Sequence, residues 1–420
     1  MYKAPRGTVD VLPSEQPYWR YVIDRAERLC SLHGYQRLDS PLFEDAGLFQ
    51  RSIGEGTDIV EKETYTFEDR SGDLLTLRPE GTAPVCRAYL EHGMHNLPQP
   101  VKLYYIAPSF RYERPQAGRY RQFYQFGYEA IGVQDPALDA EVIAMAWQFY
   151  AALGLESVTV LLNSIGDRLC RPRYLEAVVK HFEAREDQLC RDCKLRLRKN
   201  PLRLLDCKEE QDQRLIQEAP RSVDYLCPEC REHFQQVERL LQLLQVPYQL
   251  DHRLVRGLDY YTKTVFEVVP QEAGSQSAVG AGGRYDGLIE ELGGKPTPAI
   301  GFAAGVERVV MNLRRQGIGA PDSSPAEVYV AYLGSPAREE AIRLAGELRG
   351  AGVNTLLAFG ERSLRAQLRH ANSMGARYTV ILGEAEVSAG TALLRAMETA
   401  TQEQLARAEL VSHVLSRLRF

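Results

Sequence analysis

Two stretches rich in Tyr, Phe, Val and Ile, 102–111 and 121–131, flank the short polar loop ERPQAGRYR. This density of aromatic and β-branched residues reads as two strands, and so short a connection makes them a long antiparallel hairpin with a basic tip. The chain is thereby committed to an antiparallel sheet. Period-2 alternation sends Arg111 and Glu113 to one face of the outgoing strand, and Gln125, Gly127 and Glu129 to one face of the return strand. An arginine on a rigid strand can grip a phosphate bidentately. Carboxylates on the same sheet can orient an amine, an imidazole or a metal. The tip arginines Arg114, Arg119 and Arg121 can reach distal phosphates. Taken alone, the same pattern also suits a solvated ion-pair ladder.

Around this hairpin the periodicity predicts a helix over 14–33 with Ser14 as N-cap. An extended, kinked strand follows over 35–44, then a loop over 54–72 with a hairpin near 64–67, and a strand at 74–77. RPEGT (78–82) leads into a helix over 82–89. A strongly apolar helix covers 139–153, and a strand 158–163. From 166 to about 245 the composition turns to Arg, Lys, Glu, Leu and Cys with helical period, which reads as a helical insertion. Strand patterns return at 248–254, 264–269 and 277–280. Residues 281–284 read as a glycine-rich turn, and 299–313 begins Gly-rich and ends as a helix. QGIGAPDSSP (316–325) is a linker. Beyond it the order strand 328–333, helix 338–351, strand 354–358, helix 363–374, strand 378–382 and final helix 401–418 argues a small α/β domain with a partly parallel sheet.

The length of 420 residues suits two to three domains, and the balance of 51 Lys+Arg against 56 Asp+Glu gives a net charge of −5. A nucleic-acid partner must therefore use a local basic surface. One candidate is 191–203, with Arg191, Lys194, Arg196, Arg198, Lys199 and Arg203 against Asp192. Another is Arg362, Arg365 and Arg369, spaced to share one helix face. A solvated helix face is the alternative. The longest charge-free apolar run, 142–155, is too short to cross a bilayer. The N-terminus has no apolar core after its basic residues and is not read as a signal peptide, so the cytoplasm is expected.

Two further stretches can carry chemistry. In AIGFAAGVERVVM (299–311), glycines allow close approach of a flat ligand and Arg308 can close over a triphosphate. In LVRGLDYYTKTVFEVV (254–269), Arg256, Tyr260 and Tyr261 lead into a strand. Five of the eight cysteines lie between 190 and 230. Cys190-x-x-Cys193 and Cys227-x-x-Cys230 have the internal spacing of zinc knuckles, and the two pairs can share one tetrahedral ion in a helical hairpin. Reduced, partly buried cysteines are favoured over structural zinc, and Cys207 is a fifth thiol outside that scheme.

The joint occurrence and order of these stretches resembles the class II aminoacyl-tRNA synthetases, and among them the histidyl-tRNA synthetases, over essentially the full length. Pro41 lies where the first class motif puts a dimer-interface proline. FRYE (110–113) with its loop resembles the second motif, and GVER (305–308) the third. RGLDYYT (256–262) and GGRYDGL (282–288) resemble two signatures of the histidine branch, and RPEGT its amino-acid-binding stretch.

The resemblance implies an α+β catalytic domain on a central antiparallel sheet over 1–325, with its helical insertion, and a C-terminal α/β anticodon-binding domain over 326–420. It implies ATP-dependent ligation of L-histidine to tRNA(His) by a cytoplasmic homodimer, with Mg²⁺ accompanying ATP and no organic cofactor. Arg111, Glu113, Arg119, Arg121 and Arg308 are the implied ATP-binding residues. Arg256 is implied to bridge the substrate carboxylate and the α-phosphate. Glu80, Thr82 and Gln125 are implied to hold the α-amino group, and Glu129 and Tyr261, beside Tyr260, to face the imidazole. A non-catalytic histidine-sensing paralogue would lack the C-terminal domain and erode the ATP motifs, and a synthetase for another amino acid would lack RGLDYY.

Overall fold

The computed structural model describes residues 2–53, 62–155, 157–255, 260–270, 278–320 and 326–418. The chain forms two compact units, Met1–Pro321 and Asp322–Phe420.

The first unit contains strands β1 (Gln36–Arg37), β2 (Phe43–Asp45), β3 (Tyr65–Glu68), β4 (Leu74–Leu77), β5 (Val101–Phe110), β6 (Gln122–Ile131), β7 (Val158–Ser164), β8 (Tyr248–Leu250), β9 (Thr262–Pro270), β10 (Gly280–Arg284) and β11 (Ala299–Gly305). Eight of them form one sheet in the order β1-β5-β6-β11-β10-β9-β7-β8, and β2-β4-β3 form a small second sheet. The interior pairings of the large sheet are antiparallel, while β1 on β5 and β8 on β7 are parallel. The expected antiparallel sheet is thus the centre of a mixed one. The hairpin β5–β6 runs in unbroken register from Val101 opposite Ile131 to Phe110 opposite Gln122. It ends one residue short of expectation, so Arg111 and Glu113 sit in the loop, where backbone bonds are less regular and side chains can converge.

The two faces of this sheet do different work. On one, Phe126, Tyr128, Ala130 and Phe302 pack beneath the helices Gln16–Leu32, Pro136–Ala152 and Pro228–Leu243. Fully burying such aromatic side chains stabilises by roughly 1.5–3 kcal/mol each. On the other, Leu103, Tyr105, Tyr260, Tyr261 and Tyr285 pack with Val85 and Tyr89 of the helix Thr82–Glu91. Alternation along β6 therefore turns Gln125, Gly127 and Glu129 to this second face. The Pro136–Ala152 helix starts where Asp135 caps it, its carboxylate accepting from the Ala137 N–H at 2.8 Å. Ser14, by contrast, caps nothing: the first helix begins at Gln16 after Glu15.

Residues 281–284 are not a turn but the body of β10, with no left-handed residue among them. The glycines are there for space. A Cβ at Gly282 would lie 2.2 Å from the Gly301 carbonyl oxygen, and one at Gly283 would lie 2.6 Å from that of Thr264. The kinked strand expected over 35–44 resolves into the short β1 and β2.

The segment between β7 and β8 is helical, with helices Arg171–Glu183, Arg191–Lys199, Glu210–Gln217 and Pro228–Leu243. The last belongs to the main core through Phe234, Val237 and Leu241. The insertion's own small core runs from Tyr174 to Ala219, joined by Val255.

The second unit holds β12 (Val328–Tyr332), β13 (Thr355–Leu357), β14 (Tyr378–Leu382), β15 (Thr391–Ala396) and β16 (Gln402–Ala406), in the order β13-β12-β14-β15-β16. β12 pairs in parallel with β13 and β14, and the rest is antiparallel. Helices Ser335–Gly350, Leu364–Ser373 and Leu410–Leu418 pack on it. The expected final helix over 401–418 is therefore a strand followed by a helix. Its turn places Ala400 at φ +59°, where sequence reasoning looks for Gly or Asn. Arg365 and Arg369 are exposed on the helix Leu364–Ser373, and exposed Arg362 precedes its cap, Ser363.

Candidate active site

The second face of the large sheet opens into a cavity of about 480 Å³. Its floor is made by β6, β10 and β11, and its rim by the β5–β6 loop and the helix Val306–Arg315. Glu80, Thr82, Arg111, Glu113, Arg119, Gln125, Glu129, Tyr260, Tyr261 and Arg308 all line it. The full lining draws on six separate sequence stretches, 80–82, 111–129, 206–208, 260–267, 278–285 and 301–308, which converge on one hollow.

The closed end is acidic and buried. Glu129 is 1% exposed. One carboxylate oxygen accepts from the Thr82 hydroxyl at 2.8 Å and the other from the Tyr285 hydroxyl at 2.6 Å. Burial pushes its pKa up to about 8, against those two hydrogen bonds. Opposite it on β11 lies Gly301, where a Cβ would fall 1.6 Å from Glu129 Oε2. Only glycine leaves this carboxylate its position. Glu80 opens the helix Thr82–Glu91, its two oxygens accepting from the Thr82 and Ala83 N–H groups at 2.8 Å each. Burial raises its pKa, and those amide bonds oppose the rise. Gln125 accepts from Ser109 at 3.4 Å. Tyr260 and Tyr261 are buried with ring centroids 4.8 Å apart, and Tyr260 meets Tyr285 edge-on at 5.8 Å.

The open end is cationic. Arg111 donates to the Pro79 carbonyl at 2.9 Å and lies over the Phe123 ring at 5.5 Å. Glu113 stands between Arg111 at 4.0 Å and Arg119 at 3.4 Å. Arg308 donates to the carbonyls of Gly118 and Ala278 at 3.0 Å each, so the hairpin tip is tied to the third-motif helix. Gly118 turns the tip at φ +73°. Glu307, next to Arg308, accepts from the Tyr124 N–H at 2.9 and 3.1 Å. Burial raises its pKa to about 7.

One expected residue is not brought in. Arg121 turns away, stacking over the Tyr112 ring at 3.8 Å and donating to the Glu113 carbonyl at 3.3 Å. Arg256 lies outside the described residues. Lining residues that sequence reasoning did not single out include Tyr285, Glu267 on β9, and Asp206 and Lys208 from the insertion. The pairing of Tyr285 with Glu129 was hidden in GGRYDGL. No sequence signal tied Lys208 to the sheet.

Beneath the floor, Arg284 of the same signature is fully buried and paired with Asp139 at 2.7 Å. Asp139 also accepts from the Thr264 hydroxyl at 2.7 Å and contacts His233 Nε2 at 2.8 Å. This network fixes β9, β10 and two helices. Arg78 of RPEGT is likewise structural, donating to Pro108 and Ser40 carbonyls at 2.8 and 3.0 Å. The cysteines do not share one site. Cys190 and Cys193 gather with Cys207 and Asp212, and Cys227 and Cys230 with Cys170 and Asp167.

A largely antiparallel sheet carrying a motif-2 hairpin and a motif-3 helix around one polar cavity defines the catalytic domain of a class II aminoacyl-tRNA synthetase. The family model described as histidyl-tRNA synthetase matches residues 7–309, and that of the anticodon binding domain matches 327–417. The chain is 56% identical over 414 residues to the histidine–tRNA ligase of Dehalococcoides mccartyi, covering 99% of each. It is 50% identical over 398 residues to that of Pelotomaculum thermopropionicum, covering 95% of this chain and 94% of the relative. The crystal structure of apo S. aureus histidyl-tRNA synthetase is similar at a TM-score of 0.84 and 38% identity, over 99% of this chain and all of that one. The chain belongs to the histidyl-tRNA synthetase family.

Proposed function

We infer that the protein ligates L-histidine to tRNA(His) at the expense of ATP, through a histidyl-adenylate, releasing diphosphate and AMP. The observation that carries this reading is the polarity of one cavity: buried carboxylates at its closed end, arginines at its open end.

In the first step the histidine carboxylate attacks the α-phosphorus of ATP. Two anions must meet, so cations have to neutralise them and hold them in line. Arg111 and Arg308 stand at the rim for the triphosphate, with Arg119 beside them. On the family resemblance Arg256 bridges the carboxylate and the α-phosphate. Mg²⁺ enters as Mg·ATP, and the carboxylates Glu113 and Glu267 at the cavity suit an oxygen-seeking cation. They would hold it, and it would neutralise phosphate charge.

At the closed end, Glu129 accepts from an imidazole N–H, and Tyr261 faces the other ring nitrogen. Glu80, Thr82 and Gln125 receive the ammonium group. A pocket whose fixed polar groups are completed only by an imidazole rejects isosteres lacking those nitrogens by about 10⁴-fold or more, without editing. In the second step a terminal hydroxyl of tRNA attacks the adenylate.

We assign the catalytic role to 1–325 and anticodon binding to 326–420. The regulatory alternative is not favoured, because Arg111 and Arg308 both line the cavity and the anticodon-binding match is present. A homodimer is supported by exposed Phe43, Phe67 and Leu74 on the small sheet, whose strand β2 begins two residues after Pro41. Among the described residues no helix is long and apolar enough to cross a membrane, and cytoplasmic translation is the setting this activity requires.

Incubation with labelled histidine, Mg·ATP and total bacterial tRNA tests the reading. Acid-precipitable histidine that depends on ATP is expected. Its absence with folded, histidine-binding protein would contradict it.

A further inference from the structure

Outside the cavity the described residues hold two clusters of identical make-up, each of three cysteines and one aspartate. In each, one ligand atom per residue lies within 4.8 Å of the others. Their architecture repeats as well. Cys190 is the N-cap of the helix Arg191–Lys199 with φ −64° and ψ 162°, and Cys227 is the N-cap of the helix Pro228–Leu243 with φ −63° and ψ 161°. The second cysteine of each C-x-x-C pair follows in the first turn. The Cys193 N–H donates to Cys190 Sγ at 3.3 Å, an arrangement that orients a thiolate outward from the turn. The remaining thiol and the carboxylate come from another segment in both clusters.

The spacing is that of a shared ion. Cys190 Sγ and Cys207 Sγ are 3.9 Å apart. Around a tetrahedral zinc with bonds of about 2.3 Å, two sulfurs stand about 3.8 Å apart. Asp212 Oδ2 is 3.0 Å from Cys207 Sγ, and Asp167 Oδ1 is 3.3 Å from Cys170 Sγ. Asp212 is fully buried. Among the described residues its partners are thiols and the Cys190 N–H at 3.0 Å, with no basic side chain among them. A buried carboxylate among thiols, uncompensated by a protein cation, leaves room in the charge balance for a metal ion. Three sulfurs and one oxygen select a borderline-soft ion over Mg²⁺ or Ca²⁺, and four protein ligands leave no open position.

The placement gives the ions a task. The insertion buries few residues of its own, and a core this small commonly needs a staple. The first cluster ties the helix Arg191–Lys199 to the helix Glu210–Gln217. The second ties the chain just after β7 to the start of the helix by which it returns to the main core.

We propose that the chain binds two structural zinc ions, one at Cys190, Cys193, Cys207 and Asp212 and one at Asp167, Cys170, Cys227 and Cys230. Each ion replaces three thiol protons, which pass to solvent. The proposal does not depend on the catalytic reading.

The test is the metal content of the full-length chain, produced with zinc in the medium, purified under reducing conditions without chelator and freed of loose metal by gel filtration. Two zinc equivalents per chain are expected. Cys207→Ser and Cys170→Ser should each hold one, and the double variant none. Should the serine variants fail to fold, Cys207→His and Cys170→His keep a ligand at each position and should retain two. Cobalt-grown protein should show a thiolate-to-metal charge-transfer band that each serine variant halves. Wild-type chain without stoichiometric zinc, or with zinc that neither substitution removes, overturns the proposal. A single equivalent overturns the cluster whose variant leaves the count unchanged.

Discussion

The amino-acid end of the cavity and the helical insertion are both polar, yet they are held together by different means. In the cavity, each buried carboxylate is met by donors fixed on strands or at a helix start: Thr82 and Tyr285 on Glu129, and backbone amides on Glu80. The large sheet imposes the geometry, so substitutions there should cost function before fold. In the insertion, the thiols and carboxylates gather among short helices over a small core. Changes there should cost stability before chemistry. Polar groups on a rigid sheet can be spent on a ligand; polar groups on a loosely cored element are needed for its own cohesion.

The largest effect that would sharpen this contrast is at Glu129. Glu129→Gln should lower histidine-dependent activation by about 10⁴-fold, measured as kcat/KM of pyrophosphate exchange, because the pocket loses the carboxyl group that pairs with the imidazole. The same variant should gain stability at high pH. With its pKa raised from 4.5 to about 8, the native carboxyl holds a proton that the unfolded chain has released. Wild-type stability therefore falls as pH rises from about 4.5 to 8 and levels off above. Glu129→Gln should remove that slope, a difference on the order of 4 kcal/mol at pH 9, read from urea unfolding at pH 5 and pH 9. Equal slopes in both proteins would break the account of a strained, functional carboxylate.

Asp139→Ala addresses the buried network under the floor. Removing the carboxylate that Arg284, Thr264 and His233 share, and leaving Arg284 only Asp286 at 3.0 Å as an ion-pair partner, should cost about 3–5 kcal/mol by urea unfolding. The variant's KM for histidine, measured where it is still folded, should change far less than that of Glu129→Gln. Arg308→Ala should reduce kcat/KM for ATP by about 10²–10³-fold while calorimetry finds histidine affinity unchanged. The smallest effect is expected at Arg198, exposed on the insertion and 3.2 Å from Glu186. Arg198→Ala should alter stability by less than about 0.5 kcal/mol and leave pyrophosphate exchange unaltered. A rise in KM for tRNA alone would mark this face as an RNA surface.

The sequence made the cavity legible because strands carry their side chains with period 2. Residue order alone places Gln125 and Glu129 on one face, and Arg111 and Arg308 at motif positions. It was less informative where close packing replaces side-chain pattern. The glycines of β10 look like a turn because the atoms that exclude a Cβ, such as the Gly301 carbonyl, are distant in sequence. The β15–β16 hairpin was hidden because an alanine occupies its left-handed turn position. The cysteine spacing suggested one shared site, but helix order in three dimensions pairs Cys190 with Cys207 and Cys227 with Cys170. Lys208 reaches the cavity only because the insertion folds back toward it.

The central claim is that one cavity selects histidine and activates it. Pyrophosphate–ATP exchange, run without tRNA on each of the twenty amino acids, tests it most directly. The account predicts exchange with histidine alone. Exchange with another amino acid, or none from folded protein that still binds histidine, would contradict it.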